Sequence, residues 1–212
     1  MYQGQLIDNK RDGYGKFFHK TGILRFEGMF KDDKIHQDNI KTFHANGNRK
    51  FEGNMVYGKK EGHGKFYYEN GMLWYEGNFT DDKFHQDNIK TYHPNGNMKF
   101  EGNMVYGKKE GIGKFYYELG TMWYDGNFYN DKFHGNGIQT FHANGNKKFH
   151  GNMVEGKKEG EGKFYHENGI LWYNGNFTND KFECDYAETF HPTGANKYFG
   201  GFKDGKKEGP GQ

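Results

Sequence analysis

Apolar and polar residues alternate along nearly the whole chain in short runs. In the stretch 62–79, Gly64, Phe66 and Tyr68 fall on one side of an extended strand, against Lys65, Tyr67 and Glu69 on the other. After a break at Asn70-Gly71, Leu73, Tyr75, Gly77 and Phe79 share a side, and Trp74, Glu76 and Asn78 take the opposite one. A period of two over runs this short specifies strands. No stretch carries the period of about 3.6 that a helix needs, so almost no helix is expected. The breaks read as hairpin turns, which need a residue tolerant of positive φ. Asn70-Gly71, Asn95-Gly96, Asn144-Gly145 and Asn168-Gly169 are the strongest of these signals, and Leu119-Gly120 and Thr193-Gly194 are weaker forms.

The pattern repeats. The stretch 62–79 returns at 111–128 and 160–177, with a more diverged copy at 13–30, at a constant offset of 49 residues. Each block is itself double. Aromatic-x-Gly steps at Tyr2, Phe26, Phe51, Tyr75, Phe100, Tyr124, Phe149, Tyr173 and Tyr198 are spaced alternately by 24 and 25 residues. This phasing predicts eight full units and a ninth that stops at Gly211, with no linker, as one domain over 1–212. The fold expected is all-β: an elongated single-layer antiparallel meander of tandem β-hairpins, stabilised by stacking from unit to unit. About four strands per block, each roughly 4.8 Å wide, advance the sheet about 19 Å. A parallel β-helix with one coil per unit is the competing fold, and the closely spaced Asn-Gly turns argue against it.

Two kinds of unit alternate. One keeps a Gly-x-Gly pair. In the other the pair has become Gln37-Asp38-Asn39, Gln86-Asp87-Asn88 and Cys184-Asp185-Tyr186, and only Gly135-Asn136-Gly137 retains it. The second kind also carries one extra residue, which predicts a β-bulge once per block. Glycines in phase are read as structural: Gly28, Gly53, Gly62, Gly64, Gly77, Gly102, Gly111, Gly113, Gly126, Gly151, Gly160, Gly162 and Gly175. Without Cβ, each lets a ring from the neighbouring strand lie on bare backbone. A phosphate cradle needs a helix after its glycines, and here another aromatic strand follows.

Composition narrows the function. Glycine contributes 34 of 212 residues, yet 19% of the chain is aromatic, which a disordered chain does not carry. Thirty Lys or Arg oppose 28 Asp or Glu with signs interleaved, so no stripe for nucleic acid is expected. The sole cysteine, Cys184, leaves no disulfide framework or thiolate zinc cluster and fits a reducing compartment. No apolar run approaches the roughly 20 residues of a membrane-spanning helix. The repeat starts at once after Met1, so no signal peptide is expected. His44, His93, His142 and His191 recur in phase, as do His36, His85 and His134. Copies about 19 Å apart cannot share an ion held at about 2 Å, so these read as surface histidines at turns, with no metal or cofactor. The carboxylate pairs Asp32/Asp33 and Asp81/Asp82 lie in turns without a pocket to split their pKa values. Cys184 lacks a phased histidine partner. No enzyme is expected.

The residues carry a family resemblance. Phe100-Glu101-Gly102-Asn103-Met104, followed by Gly107-Lys108-Lys109-Glu110-Gly111-Ile112-Gly113-Lys114-Phe115, resembles the MORN repeat. Tyr124-Asp125-Gly126-Asn127-Phe128 with Gly135-Asn136-Gly137 resembles it again, and Tyr75 to Phe79 with Phe84 and Tyr92 is a diverged copy. The series covers nearly the whole chain. The recurring Tyr-Glu-Asn-Gly phrase is also similar to the antitoxin-type MORN variant of bacteria. The resemblance implies a chain of β-hairpins in a twisted sheet that grips extended or helical segments of partner proteins. It also implies a cytoplasmic place in a cytoskeletal or ciliary assembly, a basal body included.

A single layer cannot bury both faces, and exposed aromatic stripes mark interaction sites. Trp74, Trp123 and Trp172, with Tyr67, Tyr116 and Tyr165 on the same side of neighbouring strands, are therefore the candidate partner-binding stripe. The expected function is a non-catalytic scaffold for a protein partner. The alternatives are a passive spacer and a module for anionic membrane surfaces. The latter uses Lys59, Lys60, Lys108, Lys109, Lys157 and Lys158, although Glu61, Glu110 and Glu159 offset much of that charge.

Overall fold

The structure, a computed structural model, describes residues 1–209. The side chains of Gln86, Asp87 and Asn88, and the end of the ninth unit at Gly211, lie outside the described residues. Every element among those described is a strand or a turn. The chain forms two compact units, 1–108 and 109–212.

In the first unit, Tyr2–Ile7, Lys10–Phe18, Leu24–Lys31, Gln37–Phe43, Arg49–Val56, Lys59–Tyr67, Leu73–Thr80, Gln86–Tyr92 and Met98–Val105 pair antiparallel, each with the next in sequence. The second unit repeats the order through Met122–Tyr129, Gly135–Phe141, Lys147–Val154, Lys157–Tyr165, Leu171–Thr178, Cys184–Phe190, Asn196–Lys203 and Lys206–Glu208. These are the tandem antiparallel hairpins that the repeat dictates.

Two turn types alternate along the chain. Asp32-Asp33, Tyr57-Gly58, Asp81-Asp82 and Asn130-Asp131 place both central residues at positive φ, as a two-residue hairpin of the I′ kind requires. The Asn-Gly turns are longer. At Asn70-Gly71 only Gly71 is left-handed, with φ 85°. The Asn70 side chain accepts from Met72 N–H and donates to Pro94 O at 2.9 Å, stitching one turn to the next.

The bulge expected once per block is present and large. Phe79 faces Phe84, yet Glu76 faces Lys90, so the chain between loops out of register. The same slip follows Phe128 and Phe177. A second, smaller bulge closes each Asn-Gly hairpin: Phe66 faces Tyr75 but Tyr67 faces Leu73, which leaves Trp74 as the extra residue.

One face of each sheet forms its core. Phe51, Tyr75, Phe79, Ile89 and Phe100 are buried in the first unit, and Tyr124, Phe128, Ile138, Phe149, Tyr173 and Phe177 in the second. Glycine makes room for these rings in two ways. Gly62, Gly111 and Gly160 hold φ of 67–69°, and a Cβ at Gly62 or Gly160 meets nothing nearer than an asparagine Nδ2 at 3.7 or 3.5 Å. Gly64 instead has ordinary φ, and a Cβ on it sits 2.8 Å from the Phe51 ring of the adjacent strand. At Gly28, Gly53, Gly77, Gly126, Gly151 and Gly175 the sequence-based expectation needs correction. The ring over each is that of the aromatic residue two positions earlier on its own strand; at Gly77 it is Tyr75, with Cζ 2.9 Å from a Cβ placed there.

Candidate interaction face

The small bulge decides which rings line the core face. Simple alternation places Trp74 opposite Tyr75. As the extra residue, Trp74 turns onto the same face and packs 5.6 Å from Phe66, 6.1 Å from Tyr68 and 5.9 Å from Phe84. Trp123 and Trp172 repeat this on Phe115 and Phe133, and on Phe164 and Phe182. Phe84 and Phe133 in turn lie 4.1 Å from buried Tyr75 and Tyr124. The face thus has two tiers: a buried floor of Tyr and Phe, and a half-buried upper tier of Trp and Phe.

Tyr67, Tyr116 and Tyr165 follow Phe66, Phe115 and Phe164 on strands without the extra residue, so they point the other way. The Tyr67 hydroxyl donates to Glu52 at 3.4 Å, and Arg49 lies 5.5 Å over its ring. The single stripe expected from sequence is therefore two rows, tryptophans on the ring face and tyrosines on its reverse.

That reverse face carries an ordered charge row. Lys16–Glu27, Lys41–Glu52, Lys65–Glu76 and Lys90–Glu101 are cross-strand ion pairs at 3.1–3.8 Å in the first unit, and Glu52 also faces Lys65, and Glu76 Lys90. Each exposed pair contributes little by itself. Alternation along the row still cancels its field. In the second unit the row is diluted to Lys114, Asp125, Gln139, His150, Lys163 and Asn174.

The paired lysines split between faces, as neighbours in a strand must. Lys60 points to the ring side, 5.4 Å from the Phe66 ring, and its ammonium bonds Asp82 at 2.6 Å. Lys109–Asp131 and Lys158–Asp180 repeat the pair at 2.8 Å. Burial works against the Asp82 carboxylate, but the Lys60 side chain and backbone N–H outweigh it and hold its pKa below the usual range. Lys59 pairs with Asp81, and Lys157 with Asn179 at 3.0 Å. Lys60, Lys109 and Lys158 are thus structural cations, which removes half of the lysines considered for a membrane surface; Lys108 also makes contacts within the protein.

His19, His44, His142 and His166 are half-buried staples, whereas His36 and His191 are exposed, as expected of surface histidines. His19 Nε2–H donates to Phe43 O and His44 Nε2–H to Tyr67 O, both at 2.9 Å, and His142 and His166 repeat the contact at 3.0 Å. In other copies the Tyr68 and Tyr117 hydroxyls make the same bridge at 2.9 Å. This role was missed because it needs the next hairpin's carbonyl. Among the described residues no group of His, Cys, Asp or Glu has the arrangement of a metal site.

The floor tyrosines are hydrogen-bonded from within. Tyr75 and Tyr173 hydroxyls donate to Asn78 O at 3.0 Å and Asn176 O at 2.8 Å. Burial raises the pKa of Tyr75, Tyr124 and Tyr173 well above a free phenol. The unfolded phenol titrates near pH 10, so this stabilisation is complete below about pH 10 and is lost as pH rises toward the folded values. Melting temperature is expected to fall above about pH 10, and less steeply when all three are phenylalanine. Equal alkaline slopes in both proteins contradict this assignment.

Residues 2–22, 100–122, 124–145 and 198–212 match the MORN repeat, and residues 60–81, 88–106 and 158–179 match the MORN repeat variant. No curated protein matches the chain. The two matches together span well over half of the sequence and fall in phase with the hairpins. The chain belongs to the MORN-repeat family, whose fold is an interaction scaffold for proteins or lipids.

Proposed function

We propose that the chain is a non-catalytic scaffold that holds an extended or helical segment of a protein partner along its ring face. The observation that carries this reading is the upper tier: Trp74, Trp123 and Trp172 are in phase, packed on rings below and each only half-buried. Aromatic anchors of this kind concentrate binding energy. The reverse face offers a self-cancelling charge row instead, and Lys59, Lys60, Lys109 and Lys158, four of the six lysines that a membrane surface calls for, are ion-paired internally. The family resemblance supports a cytoplasmic, cytoskeletal or ciliary setting.

The test places a photo-crosslinking phenylalanine at Phe133 on the ring face or at Lys163 on the reverse. Each protein is incubated in native extract at low and high salt, with anionic liposomes in parallel. A salt-resistant protein adduct from position 133 and none from 163 is expected. Salt-sensitive liposome binding without a protein adduct supports the membrane reading, and no adduct with neither partner supports a spacer.

A further inference from the structure

The small bulge occurs in every hairpin that closes on a long turn, and it places Arg25, Lys50, Trp74, Lys99, Trp123, Lys148, Trp172 and Lys197 as extra residues. From Trp74 onward an indole alternates with a lysine. At the start of the chain the first indole is replaced by Arg25, and the ring that meets it, Phe84 or Phe133 in later copies, is Ile35. The ring cluster that forms around Trp74, Trp123 and Trp172 is therefore incomplete at Phe17 and His19.

A groove of about 630 Å³ lies there, wholly within the first unit. Its floor is Phe17, Phe26 and Phe51. Arg25 is exposed on its wall, 5.6 Å above the Phe17 ring. The lining holds five Lys or Arg side chains against two carboxylates, Asp33 and Glu69. Asp33 is engaged by Arg11 at 2.9 Å. Arg25, Lys34 and Lys50 make no ion pair among the described residues, whereas two of the three counterparts of Lys34 do: Lys132 with Glu155 and Lys181 with Asp204.

Resting on the scaffold reading above, we infer that this groove is a specificity site for an acidic segment of a protein partner carrying an aromatic side chain. The partner's ring takes the place that an indole fills in the other three copies, against Phe17 and Ile35. Its carboxylates meet Arg25, Lys34 and Lys50. Charge complementarity selects this occupant: apolar segments leave three cations unanswered, and basic ones are repelled. A flat bilayer cannot follow the recessed aromatic floor.

The chain supplies its own control. Arg25→Trp with Ile35→Phe installs the cluster that already folds three times in the sequence, so the variant fills the groove without disturbing the sheet. The probe is a fluorescein-labelled synthetic peptide of glutamates interrupted by tryptophan, read by fluorescence anisotropy. Wild-type binding is expected, weakened at least about tenfold in Arg25→Trp/Ile35→Phe, whose melting temperature is equal or higher. Arg25→Glu, which leaves the groove open, weakens it too, as does replacing the peptide's tryptophans by alanine or its glutamates by glutamine. Equal binding by wild type and the filled variant overturns the inference, as does wild type that ignores the peptide or that binds anionic vesicles in its place. Crosslinking from Phe133 in the second unit is read separately in the filled variant: an adduct there with no peptide effect refutes the specificity site and leaves the scaffold reading standing.

Discussion

Tyr124→Ala is expected to destabilise the second unit by about 3–5 kcal/mol, the range for emptying a fully buried ring site. Tyr124 is wholly inaccessible and stacks on Phe133 at 4.1 Å and 21° between planes. Phe128 lies 4.9 Å away, and the hydroxyl donates to Asn127 O at 2.6 Å. Truncation removes the ring on which the upper tier rests and one of two donors to the Asn127 carbonyl, which keeps His134 N–H at 2.9 Å. Tyr124→Phe keeps the ring and should lose only about 1 kcal/mol. Repeat proteins can lose one section while the rest persists. Hydrogen exchange along Met122–Tyr129 and its neighbours is therefore the measurement, since a global melt averages over sections. Equal losses for the alanine and phenylalanine variants contradict this account of the floor.

The second large effect is at the paired glycines. Gly64→Val should cost about 3 kcal/mol, at the upper end for overpacking. Three constraints meet at this site: the Phe51 ring edge 2.8 Å from a Cβ, its Cζ at 3.0 Å, and the Glu52 carbonyl at 3.1 Å. Neither a rigid ring nor a backbone oxygen yields cheaply. Gly62→Ala, two residues earlier, has open space but a left-handed φ, and should cost only about 1–2 kcal/mol. Thermal melts of the two variants separate the mechanisms: the glycines contribute through φ alone if Gly62→Ala is the worse of the two.

Much of this was legible in the sequence because phase is insensitive to detail. A spacing alternating between 24 and 25 residues fixes the hairpins, and the extra residue of the second unit type marks the large bulge. Simple alternation puts the tryptophans on the wrong face because the two arms of the hairpin differ in length. Gly64 and Gly77 face one another, and Tyr68 N–H closes the turn on Met72 O. Counting from those two pairs reveals an odd residue on the second arm, so the signal was there. The charge row was hidden for a different reason. Lys65 and Glu76, or Lys90 and Glu101, become neighbours only once register is known. The histidine staples were illegible in principle, since a carbonyl acceptor leaves no residue-type signature. The lysine pairs do not form one patch, because adjacent positions in a strand face opposite ways.

The central claim is that the ring face, and not its reverse, meets the partner. Hydroxyl-radical footprinting of the chain alone and in its captured complex tests this residue by residue, because the two aromatic rows lie on opposite faces. Oxidation of Trp74, Trp123 and Trp172 should fall in the complex while that of Tyr67, Tyr116 and Tyr165 is unchanged. Protection of the tyrosine row with the tryptophans still reactive contradicts the account.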